Sequence, residues 1–351
     1  MQRILGFAAT ALLALGLTGQ AEACSPTDWK ACKGKPWVDG DNMETPIGKK
    51  WWPNERWGAD DEAGSTNWYS KPEVVARAVK EADKGQVYRI GQNYDAEMPL
   101  FGARKFVVRI PGSPTGGPFG ANQTIYHDEF LATEVGQVGT QFDGLGHIGV
   151  MINGQDKSEM RYYNGRSEAE IGDPTGLKKN SVHSLKPIVA RGILLDVAGA
   201  KSVDMLQAGY EITMADVNMT LEKQGMKDFK FAEGDAMVFY TGWSKLWKKD
   251  NAKFNGGEPG FGMEVARWMA ETVKVGVTVA DTWATEAVPN PDPGCVFCVH
   301  QFLQTRHGIV NQENAYLDDL VRDKVYTFMY VYSPTPIVGA TGSMGAPVAI
   351  D

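Results

Sequence analysis

The sequence predicts an α/β fold, and three observations carry that reading. Gly 40 and Pro 18 in 351 residues point to a loop-rich or β-rich chain, not a helical bundle. Apolar runs at 187–197, 234–241 and 275–280 read as buried strands. Helical stretches at 71–80, 213–224 and 260–273 alternate with them, and no clear linker divides the mature chain. Hydrophobic residues at 43% and charged residues at 22% exclude a wholly disordered chain. A net charge of −8 argues against a nucleic-acid partner, because phosphate neutralisation needs a basic surface.

The elements follow in order. Residues 4–17 are apolar with only Arg3 charged ahead of them, and Ala21-Glu22-Ala23 is an A-x-A cleavage pattern. Residues 1–23 are therefore expected to be a signal peptide, and the mature protein periplasmic or secreted. No later run is apolar for ~18 residues, so no membrane span is expected after cleavage. Residues 24–60, rich in Trp, Pro, Lys and Gly, read as an irregular arm, and 61–351 as one domain. Pro72 and Glu73 suit the first turn of the helix at 71–80. Residues 105–110 read as a strand and 112–120 as a Gly/Pro loop. Thr213 is expected to cap the helix at 213–224, with Asp216 completing a capping box.

Four Cys are present, and an oxidising compartment favours pairing them. Cys24 with Cys32 would staple the new N-terminus. Cys295 and Cys298 form a C-x-x-C that follows a Pro-rich loop, so a structural disulfide is expected ahead of a redox or metal pair.

Two segments carry chemistry. In Gln137-Val138-Gly139-Thr140-Gln141-Phe142-Asp143-Gly144-Leu145-Gly146-His147, a strand would put Gln137, Gln141 and Asp143 on one face, with His147 following a flexible Gly-x-Gly. Such groups are costly to bury unpaired, so they call for a metal, a substrate or one another. The second segment runs 300–314; a helix over 299–306 would stop at Gly308, and a short strand would return Glu313 toward His300. The G-x-G-x-x-G at 144–149 lacks the helix and distant acid of a dinucleotide site, and neither G-x-S-x-G nor H-E-x-x-H occurs. Among the other histidines, His127 is a pocket candidate, His183 a structural residue, and His307 a positive charge at a helix C-terminus.

Together these segments resemble the cyclase-type metal-dependent hydrolases, the family that includes bacterial kynurenine formamidase and isatin hydrolase. Its signature is H-x-G-T-H-x-D-x-P-x-H with a later His and Glu. Gly139, Thr140, Asp143 and His147 match the signature, and His300 and Glu313 match the late pair. The stretches at 57–67, 187–197, 234–243 and 281–286 resemble further family motifs, so the likeness covers most of the mature chain. Gln137 and Gln141 stand where the signature has histidines, and Leu145 replaces its Pro, as in a variant branch. The resemblance implies a layered, swivelling β/β/α domain with a mixed, barrel-like sheet and flanking helices, and a homodimer or homotetramer. It implies a divalent metal on Asp143, His300 and Glu313 with Gln137 or Gln141, manganese or zinc first, magnesium or calcium next. Amide ligands are weaker than imidazoles, which leaves a metal-free site as the alternative.

The expected function is an exported hydrolase of a small-molecule amide, ester or lactone, with Asp143 at the reacting centre and His147 moving the proton. Phe101, Arg104, Trp57 and Trp283 are candidates for the substrate wall. A rival reading is a binding protein on the same fold that has lost hydrolysis.

Overall fold

The structure, a computed structural model, describes residues 51–151 and 160–351. The leader, arm residues 24–50 and the Cys24–Cys32 pairing lie outside the described residues. The strands in chain order are β1 (Val87–Arg89), β2 (Phe106–Arg109), β3 (Gly116–Phe119), β4 (Thr124–Tyr126), β5 (Phe130–Thr133), β6 (Gln141–Asp143), β7 (Val150–Met151) and β8 (Met160–Arg161). They continue as β9 (Ile188–Asp196), β10 (Glu211–Ile212), β11 (Ala236–Tyr240), β12 (Gly260–Phe261), β13 (Val277–Ala280), β14 (Val310–Gln312), β15 (Thr327–Tyr332), β16 (Gly342–Met344) and β17 (Val348–Ile350).

Nine of them form one mixed sheet, ordered β1-β17-β15-β9-β11-β13-β14-β6-β16, curled into a half-barrel flanked by helices. The centre, β9-β11-β13-β14, is parallel, and both flanks are antiparallel. Every residue of β11 and β13 is buried, which explains their unbroken apolar sequences: a parallel strand is covered on both faces. The helices are α1 (Pro72–Val79), α2 (Glu168–Ile171), α3 (Val197–Ala200), α4 (Met214–Lys223), α5 (Asn251–Asn255), α6 (Met263–Arg267), α7 (Cys298–His300) and α8 (Asp318–Asp323). The Thr213–Asp216 capping box starts α4 as expected, and α1 begins at Pro72 and packs on β9. Beneath α1, the fully buried Asp235 accepts from Arg191 Nη2 at 2.7 Å and Arg77 Nε at 3.2 Å, tying helix, sheet and loop together. None of the described helices is long and apolar enough to cross a membrane.

Three expectations are corrected. The Gly/Pro stretch 112–120 is not all loop: it contains β3, paired with β4, while β2 pairs with β5, so 106–133 forms a two-stranded arm. The helix expected over 260–273 starts as β12, becomes α6, and widens into a π-helix over Trp268–Val273. The strand expected over 137–143 begins only at Gln141. Gly139 interrupts it at φ +60°, where a Cβ would lie 2.2 Å from the Tyr94 ring, so the backbone turns instead of extending. Of the arm expected over 24–60, residues 51–60 pack on the body: Trp51 is buried and Trp52 Nε1 donates to the Thr305 carbonyl at 3.0 Å.

Candidate metal centre and active site

The site lies at the carboxyl ends of β13 and β14, where open α/β sheets commonly place ligands. The antiparallel register of β14 with β6 puts Asn311 opposite Asp143 and Gln312 opposite Phe142; the next step brings Glu313 N–H onto the Gln141 carbonyl at 3.0 Å. Because side chains alternate along a strand, Gln141, Asp143, Asn311 and Glu313 share one face. His300 arrives from α7, whose continuation, a π-helix over Gln301–Arg306, stops as expected just before Gly308 at φ +66°.

Asp143, His300 and Glu313 are all buried, and their ligand atoms lie within 4.8 Å of one another. His300 Nε2 is 3.1 Å from Glu313 Oε1 and 3.8 Å from Asp143 Oδ2. Its other nitrogen, Nδ1, is 2.5 Å from Glu286 Oε1. Glu286 also accepts from the backbone N–H of His300 at 3.0 Å and of Val299 at 3.3 Å. A carboxylate fixing one ring nitrogen while the other faces acidic oxygens is the outer-shell pattern of a metal-binding histidine.

The two glutamines turn inward. Gln141 Nε2 donates to Glu313 Oε2. Gln137 Nε2 donates to Asp143 Oδ1 at 3.0 Å and lies 3.3 Å from His147 Nδ1, while its Oε1 accepts from Arg104 Nη2 at 3.0 Å. His147 Nε2 sits 3.8 Å from Asp143 Oδ1. All six expected residues therefore meet, although Gln137 reaches Asp143 from a turn and not along a strand.

Four residues complete the centre without having been singled out: Glu286, Asn311, Gln304 and Glu258. Asn311 Nδ2 donates to Glu313 Oε1 at 2.8 Å; it stands two positions before Glu313, the strand period. Gln304 Nε2 reaches Asp143 Oδ2 at 3.5 Å; it stands four after His300, the helical period. Glu286 is the acid that ends the motif at 281–286. Glu258 had no local signal; it accepts from the backbone N–H of Trp283 and Ala284 at 2.6 and 2.7 Å.

Charge packing explains the electrostatics. Burial, then the Asp143 charge, pushes the Glu313 carboxyl up to about 7, against the opposing pull of His300. Burial and the Glu313 charge push Glu258 well above the carboxylate range. Burial opposes a charged His300, but hydrogen bonds from Glu286 and Glu313 outweigh it and raise the imidazole well above its usual range. Burial lowers His147, with the charges of His300 and Arg104 adding to that, so its ring is neutral at neutral pH despite Asp143. Buried acids that repel one another around a single held imidazole fit a divalent cation, with one nitrogen and several hard oxygens as donors.

The wall candidates divide. Phe101 stacks on Trp283 with ring centres 4.7 Å apart, and the Arg104 guanidinium lies 5.6 Å from the Phe101 ring. Trp57 instead packs edge-on against Trp68 and lines a different cavity. His127 is exposed just after β4, and His183 is exposed in a short 3-10 turn. His307 follows the π-helix but is not a positive charge there: burial and the cations Arg306, Arg56 and Arg267 lower its pKa to about 3. Cys295 and Cys298 form a disulfide.

Residues 88–287 match the Cyclase family model, described as "Putative cyclase". A solved structure described as a novel cyclase is 28% identical, covering 84% of this chain and 96% of its own, with a TM-score of 0.72. Isatin hydrolase A from Ralstonia solanacearum is 16% identical over 79% of this chain and 95% of its own, TM-score 0.55. Isatin hydrolase A from Labrenzia aggregata is 17% identical over 79% and 97%, TM-score 0.52. At that identity the isatin hydrolases share the fold alone. No curated protein matches the chain by sequence.

Proposed function

The chain belongs to the Cyclase family, and on that premise we propose that it is a hydrolase of a small-molecule amide, ester or lactone that works with a divalent metal. One observation carries the reading: Asp143, His300 and Glu313 converge within 4.8 Å, with His147 at their edge. The same convergence favours an enzyme over a silent binding protein, since Gln137 and Gln141 bond the carboxylates and not merely each other.

Asp143, His300 and Glu313 would hold the cation, which supplies Lewis acidity toward a carbonyl and lowers the pKa of water. The chain's own residues do the rest. Glu286 holds His300 Nδ1, which keeps Nε2 turned to the two carboxylates. Asn311 and Gln141 fix the Glu313 carboxylate, and Gln137 and Gln304 fix Asp143. His147, neutral and facing Asp143 through Nε2, takes a proton from the attacking water there and returns it to the leaving group. Arg104 holds Gln137 in place. The stacked Phe101 and Trp283 rings supply a flat apolar wall nearby.

Elemental analysis of the purified protein, joined to a screen of formamides, cyclic amides, esters and lactones, tests the reading. Metal bound stoichiometrically and turnover lost on chelation are expected. Full turnover after chelation would overturn the metal's role, and metal without turnover across the screen would favour the binding protein. Manganese or zinc is the first expectation for the ion.

We further place the enzyme outside the cytoplasm, on the leader pattern of residues 1–23; N-terminal sequencing of exported protein, expected to begin at Cys24, tests this. We also propose a homo-oligomer. The arm of β2 to β5 exposes Val108, Ile110, Phe119, Ile125, Tyr126, Phe130 and Leu131, and a lone two-stranded ribbon is marginal in water without a partner surface. Light scattering of Phe119→Ser/Phe130→Ser should show a smaller assembly than the parent; an unchanged mass would reject the arm as the contact.

A further inference from the structure

The loop that launches His300 is closed by a covalent ring. The Cys295–Cys298 bond spans a separation of three residues, with Cys298 the first residue of α7 and His300 its last. Phe297, inside the ring, is held at φ 53° and ψ 33°, a left-handed conformation disfavoured for a bulky side chain. Its ring meets the His300 imidazole edge-on, with centres 5.6 Å apart. Glu286 caps the same turn by accepting from the Val299 and His300 N–H groups and from His300 Nδ1. Both sulfurs also lie within 4.8 Å of the Glu286 carboxylate. Covalent ring, strained residue, cap and metal ligand thus occupy six consecutive residues and one carboxylate. The ring sits at the rim: Pro291 to Gly294 are exposed and Cys298 is half-buried, so an external thiol can reach it.

We propose that the Cys295–Cys298 disulfide is a clamp that positions His300, and that its reduction by a dithiol lowers the centre's affinity for divalent metal. The proposal rests on the metal-dependent reading above. In the redox step a thiolate of the dithiol attacks Cys298 Sγ, and the S–S bond breaks to give a mixed disulfide and a Cys295 thiol. The second thiol of the reagent then closes on its own sulfur and releases Cys298. The dithiol loses two electrons and two protons, and the two cysteines gain them. Without the ring, Phe297 is free to leave the left-handed region, and the first turn of α7 loses its fixed start. The freed Cys298 is also placed to compete with His300 for Glu286. Cys295 and Cys298 are positioning residues in this scheme, acting through Phe297, Glu286 and His300.

The test compares the oxidised protein, the same protein reduced with dithiothreitol and desalted anaerobically, and the Cys295→Ser/Cys298→Ser variant. Two readouts are taken: Mn²⁺ affinity by calorimetry, and amide hydrogen exchange at Val299 and His300. Reduction and the double variant are each expected to weaken Mn²⁺ binding about 10- to 100-fold, the usual cost of losing a metal ligand's support. Exchange at both amides should speed up at least about tenfold, as their bonds to Glu286 loosen. A lower melting temperature with unchanged affinity and unchanged local exchange would make the bond a general staple and overturn the proposal. If the oxidised protein binds no divalent ion, the metal reading falls, and the exchange rates alone decide the clamp: unchanged rates reject it.

Discussion

Replacing Glu286 by Gln keeps the shape of the side chain and removes its charge. In the native protein its two oxygens accept three N–H groups: Val299 N at 3.3 Å, His300 N at 3.0 Å and His300 Nδ1 at 2.5 Å. A glutamine offers one oxygen and an NH₂ group that would face donors, so one of these bonds becomes a donor–donor contact. The short bond to Nδ1 is the charge-assisted one, worth about 1.5–3 kcal/mol. Oε1 takes both His300 bonds, so a glutamine that keeps its oxygen there strips the charge from the Nδ1 bond and sets its NH₂ against Val299 N–H. At about 1.4 kcal/mol per tenfold, that loosening of the ring costs the centre roughly tenfold in metal affinity. Calorimetric titration of Glu286→Gln with Mn²⁺, paired with nitrogen NMR of the His300 ring, measures both effects. Binding within twofold of the parent, in a variant with an unchanged circular dichroism spectrum, would refute the claim that Glu286 orients the ligand.

His147→Ala should lower turnover about 10²- to 10⁴-fold while bound metal stays stoichiometric, because proton transfer is lost and the ligands are not; equal loss of metal would make His147 a ligand instead. With Glu313 pushed up to about 7 by burial and Asp143, protons compete with the metal below that pH. Mn²⁺ affinity should therefore rise steeply toward pH 7 and go on rising above it, because His300, held well above its usual range, must also lose its proton to bind; a flat profile from pH 5.5 to 8 would contradict the assignment. Asp235→Ala leaves Arg191 and Arg77 without their shared buried carboxylate and should cost about 3 kcal/mol in urea unfolding; less than about 1 kcal/mol would show that solvent screens the cluster.

How far the site was legible follows from the range of each interaction. Asp143, His147, His300 and Glu313 could be named because their two short segments resemble the cyclase-type signature, to which local spacing added that Asp143 shares a strand face and that a helix and return strand can bring His300 and Glu313 together. Gln137 was placed on the right partner for the wrong reason: the strand it was assigned to is broken at Gly139, where the Tyr94 ring leaves no room for extended backbone with a side chain. The charge expected of His307 failed because the ring is buried, and its neighbour Arg306 together with Arg56 and Arg267 from distant parts of the chain opposes a further positive charge. The 112–120 stretch read as loop because Gly and Pro obscure a strand whose partner lies beyond the turn.

The sequence by itself determined the alternation of helix and strand, the capped start of α4, the pairing of Cys295 with Cys298, and six of the residues that meet at the candidate centre. These depend on neighbours a few positions away, where propensity, periodicity and ring closure act. Only the tertiary structure decided that Asn311 faces Asp143, that Glu286 and Glu258 join the same buried cluster, and that His147 stays neutral beside a carboxylate. The first rests on the register between β6 and β14, segments more than a hundred residues apart, and the others on loops that fold back on α7 and on the exclusion of water, none of which local periodicity encodes.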